Sequence, residues 1–299
     1  MSANPVMVLD GGMGRELMRI GAPFRQPEWS AIALWEGPDW VVRAHLNFIE
    51  AGAQLITTNS YALVPFHIGH DRFDADGRDL AELSGQLARR AVAESGREAV
   101  VAGSLPPLFG SYRPDLFVQE QSAAIIDPLV DGLSESVDLW LGETLGSIAE
   151  ARTVRAALDR AGSAKPLWIS YTLDDHRPGT VRSGEPVADA VQAALDLGAV
   201  AVLFNCCQAE TITDALATAV PLTAGRARTG GYANRFLDSH ADEVQANAGI
   251  AAFRDDLDPG AYGEFVEQWI SMGATLVGGC CGMNPDHIAR VAQLVRSGS

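Results

Sequence analysis

The sequence has 299 residues, 47% hydrophobic and 20% charged, which supplies a sizeable core and excludes a disordered chain. A formal net charge of -16 would repel a phosphate backbone or an anionic lipid surface, so neither nucleic acid nor a membrane is an expected partner. No apolar run approaches the roughly 20 residues of a spanning helix, and Met1-Ser2-Ala3-Asn4-Pro5 lacks the basic start of a secretory signal, which predicts a soluble, cytoplasmic protein.

Along the chain, an amphipathic stretch repeatedly ends in Gly and gives way to a short aliphatic or β-branched run. After a first apolar run at 6–10, the pattern appears as Ala51-Gly52-Ala53 before Leu55-Ile56-Thr57, and as Ser95-Gly96 before Val100-Val101. It returns as Ala161-Gly162 before Leu167-Trp168-Ile169, as Leu197-Gly198-Ala199 before Val200 to Phe204, and as Met272-Gly273-Ala274 before Thr275-Leu276-Val277. Gly just past a helix end supplies a left-handed cap, and a near-continuous apolar run is how a strand buried on both faces reads. Strands are thus predicted near 6–10, 54–58, 99–104, 137–142, 167–172, 200–205, 229–233 and 275–279. Eight such units in a chain of this length fit an α/β fold of the (β/α)8 TIM-barrel type better than a doubly wound sheet, which needs fewer strands. No linker divides the chain, so residues 1–299 are read as one domain. The polar stretches 173–187 and 234–258 are placed as loops over the C-terminal mouth.

In such a barrel the active site is assembled at the C-terminal strand ends. Here those ends carry Asp10-Gly11-Gly12, Thr57-Thr58-Asn59-Ser60-Tyr61, Gly142-Glu143-Thr144, Asn205-Cys206-Cys207 and Gly278-Gly279-Cys280-Cys281-Gly282. All four cysteines lie there. Adjacent cysteines are too close for an unstrained disulfide, and clustered thiols in a cytosolic chain point to metal or catalysis. Three thiolates leave one position of a tetrahedral Zn2+ open, as a catalytic site requires; four would close it as a structural site, and spacing alone does not choose. A zinc hydrolase would call for His or carboxylate ligands instead. Beyond Cys281, Asn284 and Pro285 read as the N-cap and first residue of a helix. Neither a P-loop lysine nor a G-x-G-x-x-G run is present to support phosphate binding.

These segments, from Asp10-Gly11-Gly12-Met13-Gly14-Arg15-Glu16-Leu17 through Leu55-Ile56-Thr57-Thr58-Asn59-Ser60-Tyr61, Gly142-Glu143-Thr144 and Phe204-Asn205-Cys206 to Val277-Gly278-Gly279-Cys280-Cys281-Gly282, resemble the homocysteine S-methyltransferase family over nearly the whole chain. The resemblance implies a zinc-bearing barrel that methylates homocysteine from a small cationic donor. It implies Cys206, Cys280 and Cys281 as ligands, with Cys207 a neighbour; Asp10 and Glu143 as partners of the amino acid's ammonium group; and Thr57 and Ser60 in the segment meeting its carboxylate. Trp29 and Tyr61 match positions that present aromatic faces to the donor in betaine-using relatives. Thr144, however, stands where those relatives carry tyrosine, which favours S-methylmethionine or S-adenosylmethionine over betaine. A betaine-type enzyme and a non-catalytic, zinc-stapled amino-acid-binding barrel are the alternatives. His45, His67, His70, His176, His240 and His287 are read as surface or capping residues, with His67 and His70 near enough to strand two to approach the mouth.

Overall fold

The structure, a computed structural model, describes residues 5–237 and 252–298. Strands β1 (Met7–Val8), β2 (Leu55–Thr57), β3 (Val100–Leu105), β4 (Leu139–Leu145), β5 (Leu167–Tyr171), β6 (Ala201–Asn205), β7 (Arg228–Tyr232) and β8 (Leu276–Val277) form one parallel sheet in the order β1-β8-β7-β6-β5-β4-β3-β2. A single Leu9–Leu55 bridge joins its two edges, so the sheet closes on itself as a (β/α)8 barrel. Around it run α1 (Met13–Ile20), α2 (Ile32–Glu36), α3 (Pro38–Ala51), α4 (Pro65–Ile68), α5 (His70–Ser95), α6 (Gln119–Leu133), α7 (Ile148–Arg160), α8 (Val187–Asp196), α9 (Ala209–Thr223), α10 (Pro259–Met272) and α11 (Pro285–Ser297). None of the described helices is long and apolar enough to cross a membrane.

Alternation along each strand divides the apolar side chains between two cores. Leu9, Leu55, Leu139, Leu141, Leu203 and Leu276 belong to the cluster that fills the barrel interior. Ile56, Trp140, Val202 and Val277, one residue out of phase, pack with the helices. The glycine punctuation has the expected cause: Gly52 ends α3 at φ +112, where any side chain would be strained, and hands the chain directly to β2.

The strands depart from their predicted limits where the chain leaves the ladder to build the mouth. β8 stops at Val277 and β1 at Val8, shorter than 275–279 and 6–10. β4 runs on to Leu145, with a register shift between Gly142 and Leu145 that includes Glu143 and Thr144 in the strand. Within 173–187 the loop folds back through Leu173–Val181 and Thr180–Pro186 bridges. In 234–258, Phe236 pairs with Phe253, and 238–251 lie outside the described residues.

The histidines only partly follow the surface-or-capping expectation. His287 completes a capping box with Asn284 at the start of α11, and His70 and His176 are exposed. His45 instead lies fully buried in α3; neither ring nitrogen has a hydrogen-bond partner among the described residues, and burial pulls its pKa down to about 3, so it is a neutral core residue. His67 is buried against the mouth. His240 lies outside the described residues.

Candidate active site

Three of the four thiols converge. The Sγ atoms of Cys206, Cys280 and Cys281 all lie within 4.8 Å of one another, and Cys206 Sγ is 3.7 Å from Cys281 Sγ. Zinc–sulfur bonds of about 2.3 Å in a tetrahedron put the sulfurs ~3.8 Å apart, so the triangle fits that ion. Two local devices create it. Cys206 follows β6 with φ +54, a left-handed turn that aims its thiol into the mouth while Cys207 packs in the apolar core between sheet and helices. On the other side, a Cβ added to Gly12 would lie 2.7 Å from the Cys280 carbonyl oxygen, so only glycine lets the start of α1 press against the Cys280-Cys281 turn.

Asn205 connects this centre to β4. Its side-chain oxygen accepts from the Thr144 amide (3.1 Å) and the Ser170 hydroxyl (2.6 Å); its nitrogen donates to Thr144 Oγ1 (2.8 Å) and lies 3.8 Å from Cys280 Sγ. This clamp holds Thr144 at φ +59, a conformation that costs a β-branched residue on the order of 1–3 kcal/mol. The thiols also report on one another. Hydrogen bonding from Cys280, then Cys281, pulls the Cys206 pKa well below the ordinary thiol value, against the opposing effect of burial. Cys280 and Cys281 are pushed up, first by Cys206. Three sulfurs this close cannot all be anionic without a cation between them, which is the chemistry of a metal donor set. Cys207 is pushed up chiefly by burial, as befits a protonated core thiol.

Two buried carboxylates share the cavity. Asp10 accepts from the Thr57 amide (2.7 Å) and hydroxyl (3.2 Å), and Glu143 accepts from Ser104 Oγ (2.6 Å) and Tyr232 OH (3.3 Å). Burial raises Asp10 to about 8, with the Glu143 charge adding to it; burial likewise raises Glu143 to about 7, with Cys206 adding to it. A cation placed between them would reverse both shifts. Thr57 lines the cavity, yet its amide and hydroxyl are committed to Asp10. Ser60 is wholly buried behind the wall, where its hydroxyl donates to the Ser104 carbonyl (2.8 Å) and contacts Thr58 Oγ1. Neither hydroxyl is presented to the cavity as an open partner for a substrate carboxylate.

The remaining wall is aromatic. Trp29, at φ +50, packs edge-to-face against Phe24 and His67, and Tyr61 OH sits 2.8 Å from Ser111 Oγ. Both line the cavity together with Tyr112, Tyr232, Phe236, His67 and Arg15. Of these, Tyr232 was within reach of the strand-end rule, since it closes β7. Tyr112, whose hydroxyl is 2.8 Å from Cys206 Sγ, lies in the loop after β3, and no sequence signal marks it.

Comparison with known proteins agrees with this arrangement. Residues 7–295 match the homocysteine S-methyltransferase family. A homocysteine S-methyltransferase of Escherichia coli is 30% identical over 95% of this chain and 93% of its own length, and a selenocysteine methyltransferase of Astragalus bisulcatus is 29% identical over 99% and 94%. The crystal structure of the E. coli homocysteine methyltransferase MmuM in its metallated form superposes with a TM-score of 0.79 at 28% identity, covering 97% of this chain and 96% of that one. With the fold, the thiol triangle and the full-length match in agreement, the chain belongs to the homocysteine S-methyltransferase family.

Proposed function

We propose that the protein moves a methyl group from a small onium donor to the sulfur of homocysteine, with Cys206, Cys280 and Cys281 as the residues that hold Zn2+. The observation that carries this reading is the placement of a three-thiol triangle and a pair of buried, cation-seeking carboxylates in one cavity. An amino acid with a thiol at one end and an ammonium at the other satisfies both. A zinc ion on the three thiolates would supply the Lewis acidity that keeps an alkyl thiol, ordinarily with a pKa near 8.5, in its nucleophilic thiolate form.

The chain's own residues do the positioning. Asp10 and Glu143 receive the ammonium. Thr57 and Ser60, in the segment expected at the substrate's carboxylate, support those acids: Thr57 holds Asp10 directly, and Ser60 braces Ser104, which donates to Glu143. Trp29 and Tyr61, which line the cavity, would meet the donor's cation with their rings. As the sulfur–methyl bond forms, the methyl–donor bond breaks and its electron pair stays on the donor, which departs as a neutral thioether needing no proton. Thr144, clamped by Asn205, puts a small side chain where betaine-using relatives carry tyrosine, which favours S-methylmethionine or S-adenosylmethionine.

Initial rates with excess homocysteine and equal concentrations of S-methylmethionine, S-adenosylmethionine and glycine betaine test the proposal. The first two are expected to be used faster. A clear preference for betaine would overturn the donor assignment. Absence of transfer from every donor by fully metallated protein would overturn catalysis in favour of an amino-acid-binding barrel.

A further inference from the structure

Tyr112 has no part in the methyl-transfer reading above, yet its placement is costly. The Arg113 amide donates to the Gly110 carbonyl at 3.3 Å, closing a turn whose central residues are Ser111 and Tyr112. Tyr112 takes φ +64 there, in a region that strains a bulky side chain by on the order of 1–3 kcal/mol and persists only where the surroundings enforce it. Two contacts do so. Ser111 Oγ, 2.8 Å from Tyr61 OH, ties the turn to the segment after β2. The Arg182 guanidinium carbon lies 5.6 Å from the Tyr112 ring centroid, and the Arg182 amide donates to the Thr172 carbonyl at 3.0 Å, which ties the ring to the loop after β5. The result is a phenol hydroxyl 2.8 Å from Cys206 Sγ, and Cys206 is itself left-handed at φ +54. Two backbone outliers thus meet at one oxygen–sulfur contact.

Either group can give the proton while Cys206 is a thiol. A thiolate has none to give, so once Cys206 is deprotonated, as a metal ligand must be, the phenol is the donor. Hydrogen bonding to an anionic sulfur is charge-assisted; it fixes the direction of the sulfur and draws electron density from it. Both effects matter where three thiolates crowd together and repel, and more so when a substrate sulfur joins them. A second, longer contact of the same kind comes from β6 itself, with Asn205 Nδ2 3.8 Å from Cys280 Sγ. We propose that Tyr112 is a positioning residue of the thiol centre: its hydroxyl donates to the Cys206 sulfur, holds it towards Cys280 and Cys281, and lowers its negative charge when metal is bound. This rests on the reading of those three cysteines as metal ligands.

Titrating the metal-free full-length protein with Co2+ tests it, because sulfur-to-metal charge-transfer bands report the electron density on the thiolates. Tyr112→Phe keeps the ring and its packing beneath Arg182 but removes the hydroxyl; Tyr112→Leu removes both. In Tyr112→Phe the band should move to lower energy, since a sulfur that has lost its hydrogen bond gives up its electrons more easily. Co2+ affinity should fall by about 10- to 100-fold, the range for losing an outer partner of a metal ligand. Tyr112→Leu should show the same band shift with at least as large a loss of affinity, and circular dichroism of both variants checks that the barrel is folded. A Tyr112→Phe protein with wild-type band and affinity would make Tyr112 a packing residue and overturn the proposal. So would weaker metal binding with the band unmoved, because a merely structural role predicts that pattern. If the wild type takes up no Co2+ with thiolate bands, the ligand reading fails and the role of Tyr112 fails with it. If the wild type shows those bands and Tyr112→Phe matches it, the ligand reading stands and only the Tyr112 proposal is lost.

Discussion

The floor of the cavity and its outer wall are built differently. On the floor, Asp10, Glu143, Asn205 and Cys206 sit at or just beyond the ends of strands, and the polar atoms of the first three are held by residues of other barrel strands: Thr57 on Asp10, Ser104 and Tyr232 on Glu143, Thr144 and Ser170 on Asn205. The outer wall is carried by loops and short helices. Trp29 lies between α1 and α2, Tyr61 beyond β2, Tyr112 between β3 and α6, and Phe236 beyond β7. The proposed reaction needs close placement where sulfur and ammonium would be held together, and a parallel ladder supplies it. A wall that meets a donor through ring faces tolerates looser support, because cation–π attraction is broad in angle and modest in energy.

The largest expected effect lies on the floor. Removing Cys206, Cys280 or Cys281 as serine should abolish stoichiometric metal binding, since two thiolates leave a tetrahedral ion half-ligated, whereas Cys207→Ser should retain about one zinc per chain. Metal analysis of the purified variants measures this directly. Cys207→Ser places a hydroxyl in an apolar core and should cost stability, so its melting temperature is recorded alongside. Equal metal loss in Cys206→Ser and a folded Cys207→Ser would show that the ligand set is wrong.

The acid pair comes next. Glu143→Gln should raise the homocysteine concentration for half-saturation about 10- to 100-fold, with metal content intact. An unchanged value would place the ammonium elsewhere. The same pair predicts a pH dependence. Folded-state values of about 8 for Asp10 and about 7 for Glu143 exceed the ordinary 3.8 and 4.5, so between those limits the folded protein binds more protons than the unfolded chain. Their contribution to stability is therefore greatest below the unfolded values and is lost as pH rises through the folded ones. Without amino acid bound, the melting temperature should fall between pH 5 and pH 8 by on the order of 5 °C. Glu143→Gln should flatten that fall, and saturating homocysteine, whose ammonium stabilises both carboxylates, should remove most of it. A wild-type slope that homocysteine leaves untouched would separate the acids from substrate binding.

The same division governs what could be read from residue order alone. Strand ends were legible because one rule, polar residues closing an apolar run at the C-terminal end of a barrel strand, applies to each of them; Asp10, Glu143, Cys206 and the Cys280-Cys281 pair all obey it. The rule gives the end of a strand but not which atoms it leaves available. Ser60 and Thr57 satisfy it, yet their hydroxyls turn to Ser104 and Asp10, and only packing in three dimensions decides that. Nor does periodicity reveal that Cys206 and Thr144 take left-handed backbone, because an Asn205 clamp, not local propensity, holds Thr144 there. His45 lay beyond reach for the opposite reason: one polar letter inside the helix α3 reads as surface until the packing of that helix is known. On the wall, Tyr112 and Arg15 come from loop and helix-start positions for which no spacing rule exists.

The smallest expected effect belongs to that wall, and its pattern matters more than its size. If Trp29 and Tyr61 hold the onium centre by their ring faces, Trp29→Leu and Tyr61→Leu should each weaken donor binding by about 0.5–2 kcal/mol, or roughly two- to thirtyfold, with homocysteine affinity unchanged. Tyr61→Phe separates ring from hydroxyl. The hydroxyl is 2.8 Å from Ser111, so it serves the loop, and its loss should leave donor affinity near the wild-type value. Trp29 carries a further sign. Its φ of +50 is costly for a large side chain, and its ring meets Phe24 and His67 edge-on, so replacing it should change folding stability as well as donor binding. Melting temperature and donor affinity, measured on the same preparations, decide between the two uses of that ring. A loss of stability with donor binding intact would make Trp29 a support for the first loop and leave Tyr61 as the donor's aromatic face. A Tyr61→Phe loss as large as that of Tyr61→Leu would mean that the Tyr61 hydroxyl, and not its ring face, carries the residue's part in donor binding.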